Sequence, residues 1–187
     1  MLSRSTRLFA TATAVATFLL LLVGGLVNPT GSSLACPDWP LCHGSAFPQM
    51  VGGVFFEHSH RLVATGVGLM TVILGVLLWR DGRRGLALGA VAMVVLQGVL
   101  GGLTVIFKLP PEISLSHLAL SMTFFAFLIY LATGAGERPR PLELSPLRAR
   151  LVVVAAISIW VQIILGGLVR HTKSALACAT EIPLCLG

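Results

Sequence analysis

Five long apolar stretches alternate with short polar segments along the chain. Each stretch has about the 20 residues that an α-helix needs to cross the hydrocarbon core of a bilayer. Strands are not indicated, because the stretches are long and lack the alternation of apolar and polar residues that transmembrane strands show. We therefore predict membrane-spanning helices at about residues 8–27, 62–79, 86–107, 113–133 and 151–169.

The composition supports an integral membrane protein. Of the 187 residues, 56% are hydrophobic and 11% are charged, whereas a soluble domain has roughly 25% charged residues. Such an apolar chain with four cysteines is neither disordered nor a small disulfide scaffold. The net charge of +6 does not indicate a nucleic-acid partner, because the basic residues lie in short runs between the apolar stretches and act as topology signals next to membrane lipid.

The basic residues also predict an orientation. Most of them precede the first span or lie between the second and third or the fourth and fifth spans, which places them on one side. By the positive-inside rule this side is cytoplasmic, so the N-terminus is inside and the C-terminus is outside an inner (cell) membrane of bacterial or archaeal type. A signal peptide cleaved before Cys36 is the alternative, which the length of the first apolar stretch disfavours.

A repeat runs through the chain. The pattern from Gly24 to Cys36 recurs from Gly166 to Cys178, four predicted spans later, so both copies face the same way. Whether the natural chain is this short or longer stays open at this point. The repeat predicts a first four-helix repeat at 1–137 with an outer cysteine loop at 28–56, a cytoplasmic linker at 138–150, and the first span and cysteine loop of a second repeat at 151–187.

The third span carries a polar residue and several glycines. Gln97 lies deep in the apolar stretch, where an unpaired polar group is costly, so we expect it to face the bundle interior and to bond a neighbour or a cofactor substituent. We expect Gly98, Gly101 and Gly102 to let a neighbouring backbone approach closely.

Two pairs of cysteines lie in loops on the predicted outer side, where disulfides persist: Cys36 with Cys42, and Cys178 with Cys185. Each pair is either a structural disulfide or a redox-active dithiol that exchanges electrons with a partner. Zinc is disfavoured, because only His43 is near and neither spacing is that of a zinc knuckle.

His60 and His117 open the second and fourth spans at similar depth. Two imidazoles on different helices of a four-helix bundle can ligate a haem iron from both sides, although a lone intramembrane histidine is more often a hydrogen-bonded packing residue. Glu57 shares a helix face with His60, and ionisable residues at membrane depth are usually functional. Arg61 could pair with Glu57, bind a ligand carboxylate such as a haem propionate, or extend to the membrane interface.

Several motifs together resemble the haem A synthase family of cytochrome oxidase assembly factors, along nearly the whole chain. They are Leu-Ala-Cys-Pro-Asp-Trp-Pro-Leu-Cys at 34–42, Glu-x-x-His-Arg at 57–61, Gln-x-x-x-Gly-Gly-Leu-Thr at 97–104 and His-Leu at 117–118. The cysteine loop followed by Glu-x-x-His-Arg is the most specific combination.

The resemblance implies two similar four-helix halves and the conversion of haem O to haem A by oxidation of a ring methyl to a formyl group. It implies that His60 and His117 bind the substrate haem, that Glu57 is the catalytic carboxylate, and that Cys36 and Cys42 are the outer cysteine pair. It also implies haem b on a second histidine pair, on a sixth and an eighth span that this sequence does not contain.

We therefore predict an all-α integral membrane protein with five transmembrane helices, four of them forming a haem-binding bundle and the fifth beginning a second repeat. The predicted function is that of a haem O-oxidising enzyme of the haem A synthase type. The expected partners are haem O, an electron-donor protein, and either haem O synthase or oxidase assembly factors, with a homo-oligomer as a further option. The alternatives are a haem-binding or haem-delivering half without catalysis, and an outer-face thiol–disulfide oxidoreductase.

Overall fold

The computed structural model describes residues 2–133 and 145–172. Within these ranges the regular structure is helical, and five helices are long and apolar enough to cross a membrane, which confirms the predicted all-α membrane fold. The helices are α1 (Arg4–Val27), α2 (Gly53–Arg80), α3 (Arg84–Ile106), α4 (Pro111–Ala132) and α5 (Pro146–His171).

Four of the helices begin two to five residues before their predicted starts, and local sequence explains this for α1, α4 and α5. The side chain of Ser3 accepts the backbone N–H of Thr6 at the start of α1, and that of Ser145 accepts the N–H of Arg148 at the start of α5. Helices α4 and α5 both begin with proline, whose fixed φ and missing N–H suit the first helical position.

Helix α2 begins at Gly53, well before the predicted start at residue 62. The polar segment 57–61 therefore lies in the first turns of α2, as the helical spacing predicted for Glu57 and His60 requires. The connection between α1 and α2 comprises residues 28–52 and is therefore shorter than the predicted loop at 28–56. We call it the disulfide loop.

The first four helices pack in a ring. Each of the pairs α1–α2, α2–α3, α3–α4 and α4–α1 is in contact, so α2 and α4 face each other diagonally across the bundle. Helix α5 packs against α4, and Arg170 near its end donates a hydrogen bond from Nε to Oδ1 of Asn28, just after α1, at 3.0 Å.

The buried apolar core fills the half of the bundle away from the disulfide loop. It is formed by the first halves of α1 and α3 and the second halves of α2 and α4, with fully buried side chains at Leu74, Leu78, Leu128 and Leu131. The half next to the loop, which we call the loop end, instead contains the polar residues described below.

Candidate functional site

Cys36 and Cys42 form a disulfide within the disulfide loop, as predicted for this pair. Both residues are completely buried, with 0% exposure. A sulfur must be accessible to be attacked by a partner thiol, so this burial fits a structural disulfide better than an exchanging one. The second predicted pair, Cys178 and Cys185, lies outside the described residues.

An ion pair in α2 holds the disulfide loop. Oε1 of the buried Glu57 accepts a hydrogen bond from the Arg61 guanidinium, and its Oε2 accepts the backbone N–H of Cys36 at 2.9 Å. Arg61 also donates to the carbonyl oxygens of Cys36, Asp38 and Leu41 at 2.8, 2.7 and 2.6 Å. The pair thus joins the first turns of α2 to both arms of the loop.

The turn inside the loop is organised by Asp38. Its carboxylate accepts the backbone N–H groups of His43 at 2.6 Å and Gly44 at 2.7 Å. These bonds, that from Gly44 first, hold the pKa of Asp38 below its ordinary value. His43 has a positive φ of 52° and its Nε2 lies 2.9 Å from the carbonyl oxygen of Ala35, so this histidine is occupied within the loop.

His58 packs against the disulfide. The residue is buried, its Nε2 lies 3.1 Å from the carbonyl oxygen of Ala46, and a ring nitrogen lies within 4.8 Å of both sulfur atoms. Because the sulfurs of Cys36 and Cys42 are bonded to each other, this group is a packed disulfide, not three free metal ligands.

His60 and His117 lie on the diagonal helices α2 and α4 at similar depth. His60 comes seven residues after Gly53, and His117 comes six residues after Pro111. Both side chains are half-buried. The Nδ1 atom of each ring is buried and has no hydrogen-bond partner among the described residues.

Gln97 lies on α3 and reaches across to α4. Its amide nitrogen donates to the carbonyl oxygen of His117 at 3.1 Å and to the hydroxyl of Ser121, and it lies 3.3 Å from Nε2 of His117. Its Oε1 is buried and has no partner among the described residues. Buried polar atoms without partners are costly inside a bilayer, so the free atoms of Gln97, His60 and His117 fit a bound group that carries a metal and polar substituents.

Three glycines face large side chains at the loop end. A Cβ atom on Gly24 would lie 2.8 Å from Cε1 of His60, and one on Gly101 would lie 3.2 Å from Cε1 of His117. A Cβ on Gly102 would lie 2.8 Å from the indole of Trp39, in the disulfide loop. The expectation that Gly101 and Gly102 admit a neighbouring backbone was wrong, because the atoms they face belong to side chains.

The expectation for Gly98 was also wrong, since no neighbouring segment within residues 2–133 and 145–172 has an atom within 4 Å of a Cβ placed there. Sequence reasoning missed the roles of Gly24 and Trp39 entirely. The recurring Gly-Gly-Leu pattern was the available signal for the glycines, but it does not say which residue lies opposite.

Comparison with known proteins identifies the family. A family model described as cytochrome oxidase assembly protein matches residues 7–52 and 50–187, which together cover nearly the whole chain. The chain belongs to this family. The resemblance to haem A synthases seen in the motifs is thereby confirmed.

Curated members of the family similar to this chain are named heme A synthase. The protein of Shouchella clausii is 34% identical over 187 residues, which cover 94% of this chain and 62% of that protein. The Bacillus pumilus protein is 32% identical over 194 residues (96% and 62%), and the Shewanella oneidensis protein is 33% identical over 201 residues (94% and 59%). The chain thus spans about three fifths of the length of these relatives.

Proposed function

We propose that this protein acts in haem A biosynthesis as a membrane oxidoreductase that oxidises a ring methyl of haem O to the formyl group of haem A. The observation that carries the proposal is the pair His60 and His117, which lie at similar depth on the diagonal helices α2 and α4 and have buried Nδ1 atoms without a partner among the described residues. The names of the curated relatives support the same conclusion.

In this proposal haem O is the substrate and is bound between His60 and His117. Two neutral imidazoles from opposite sides are a ligand set that haem iron accepts in helical bundles. Gln97 supports His117 from α3 and keeps Oε1 free for a polar substituent of the substrate. We also propose that Arg61 contacts a propionate of the haem. Its guanidinium already donates four hydrogen bonds, one to Glu57 and three to carbonyl oxygens of the disulfide loop.

Glu57 is the proposed catalytic carboxylate. It lies one turn before His60 on α2 and is buried, but both of its carboxylate oxygens accept hydrogen bonds, from Arg61 and from the N–H of Cys36, so holding or moving a proton beside the reacting methyl would require one of these bonds to open. Two successive hydroxylations of one carbon, followed by loss of water, need dioxygen, protons and an external electron donor. This chain's residues would supply orientation and electrostatics, while the haem iron supplies the redox chemistry.

The proposal extends to the protein's surroundings. We place the N-terminus in the cytoplasm and the disulfide loop outside, following the distribution of basic residues. Besides an electron donor, haem O synthase or an oxidase assembly factor would deliver the substrate or accept the product, and a second copy of the chain could form a homo-oligomer.

Chromatography of the haems extracted with the purified protein tests the function. The host should make haem O but not haem A, and wild type should be compared with Glu57→Gln. An amide at residue 57 can still accept the N–H of Cys36 but cannot balance the charge of Arg61, so the substitution tests the charge. Glu112→Gln, at an exposed position on α4, is the matched control.

We expect haem A or hydroxylated haem O with wild type and with Glu112→Gln, and neither product with Glu57→Gln. If wild type contains only unmodified haem, and if His117→Ala contains none, catalysis by this chain is refuted and the protein is a haem-holding half. If no haem is bound, and if Cys36→Ser and Cys42→Ser abolish function while His117→Ala does not, the thiol–disulfide alternative is correct.

A further inference from the structure

We propose that Gly24 and Gly101 are positioning residues for the two histidines, each keeping an imidazole in place by having no side chain. This inference rests on the proposed haem site and adds two residues that lie on neither histidine-bearing helix. Gly24 is on α1 and lies next to His60 of α2, and Gly101 is on α3 and lies next to His117 of α4.

The contacts are specific to these positions. An added Cβ on Gly24 would lie 2.8, 3.2 and 3.4 Å from Cε1, Nδ1 and Nε2 of His60, and the first of these distances is shorter than real Cβ atoms show. Among the described residues, nothing beyond the glycine's own stretch of helix lies within 4 Å of a Cβ placed on the adjacent Gly25, or of one placed on Gly98, one turn before Gly101 on α3. Each critical glycine therefore has a nearby glycine whose replacement by alanine meets no other described residue.

The two contacts are related by the arrangement of the bundle. In each of the hairpins α1–α2 and α3–α4, the first helix provides the glycine and the second provides the histidine. Gly24 and Gly101 are also the first glycines of two Gly-Gly-Leu sequences, at 24–26 and 101–103. Both histidines are thus supported in the same way, from opposite sides of the bundle.

The support matters because neither Nδ1 atom is held by a hydrogen bond among the described residues. Here packing against a helix backbone would limit ring rotation instead. Adding a methyl group at Gly24 would push the His60 ring away from its position, and the smaller overlap at Gly101 would move His117 less.

The test is spectroscopy of the full chain with haem bound, in detergent. Ligation by two histidines gives low-spin haem, so absorption and electron paramagnetic resonance spectra report the loss of either ligand. Wild type, His60→Ala and His117→Ala first establish the ligands. Gly24→Ala and Gly101→Ala are then compared with Gly25→Ala and Gly98→Ala, which make the same change on the same helices.

We expect the high-spin fraction to rise several-fold in Gly24→Ala, to rise less in Gly101→Ala, and to stay at the wild-type level in both controls. Wild-type spectra from Gly24→Ala and Gly101→Ala would overturn the inference while leaving the haem site intact. Wild-type protein without haem, or with low-spin haem that survives both histidine substitutions, would overturn the proposed function itself. If Gly24→Ala does not accumulate in membranes, Gly101→Ala with its milder overlap decides the question.

Discussion

Replacing Arg61 by alanine tests whether the ion pair in α2 holds the disulfide loop closed. The substitution removes four hydrogen bonds: one to the carboxylate of Glu57 and three to loop carbonyl oxygens. It also leaves Glu57, whose side chain is 6% exposed, as a buried anion with only the N–H of Cys36 as a partner.

Removing one member of a buried ion pair costs about 3–5 kcal/mol. The Arg61 side chain is 14% exposed, so water can reach part of the vacated space and the lower end of that range applies. A loss of about 3 kcal/mol would raise the population of the open loop roughly one hundredfold. Arg61→Lys keeps the charge but not the fork of donors, so its effect should be intermediate.

The rate at which a dithiol reductant opens the Cys36–Cys42 disulfide measures this population, because the buried sulfurs react only after local opening. Mass spectrometry of the alkylated peptide that contains both cysteines follows the reaction. We expect Arg61→Ala to react about one hundred times faster than wild type, and Arg80→Ala, an exposed change on the same helix, to react at the wild-type rate. Equal rates for Arg61→Ala and wild type would show that the loop is held by other contacts.

Two further predictions concern the disulfide loop. Gly102→Ala should displace the Trp39 indole and change tryptophan emission, which Gly98→Ala should leave unchanged; identical spectra would refute the contact. The pKa of Asp38 is lower in the folded protein than the ordinary aspartate pKa of about 4. The ionised carboxylate therefore stabilises the loop fully above that ordinary pKa, and this stabilisation is lost as the pH falls through the lowered pKa of the folded state. Wild-type Trp39 emission should therefore change on acidification below about pH 4, and Asp38→Asn should lack this transition; a transition of the same size in the variant would assign it to another group.

The apolar pattern was sufficient to predict the five helices, because a bilayer requires a minimum apolar length whatever the packing. The apolar stretch begins only at residue 62, and the spacing of Glu57 and His60 extended the predicted helix to the polar segment 57–61, whereas α2 begins at Gly53. Glu57 and Arg61 are the charged residues of this extension. They lie in the helix because they bond to each other and to the disulfide loop, and such contacts between distant segments leave no local signal.

The histidines were found from sequence because ionisable residues at matched depth are rare in membrane spans. The residues that surround the two histidines could not be predicted from sequence. Which glycine lies next to an imidazole ring depends on the rotation of α1 and α3 about their own axes, and the sequence does not give this rotation. Gly24 and Gly25 are adjacent residues of the same type, yet in the part of the chain that the structure describes Gly24 contacts His60, whereas a Cβ on Gly25 would contact no other segment. Packing alone makes that distinction.

The way the disulfide loop is held also bears on the order of assembly during membrane insertion. Apart from the bond that Arg170 donates to Asn28 at the start of the loop, every hydrogen bond described for the loop comes from the loop itself or from the first turns of α2. The disulfide-bonded part of the loop can therefore form these bonds, with its disulfide closed, once two helices have entered the bilayer, whereas Trp39 meets Gly102 only when α3 follows. His117 arrives only with the fourth helix, so under the proposed function an oxidising enzyme would meet a closed disulfide before any haem could be held by both histidines.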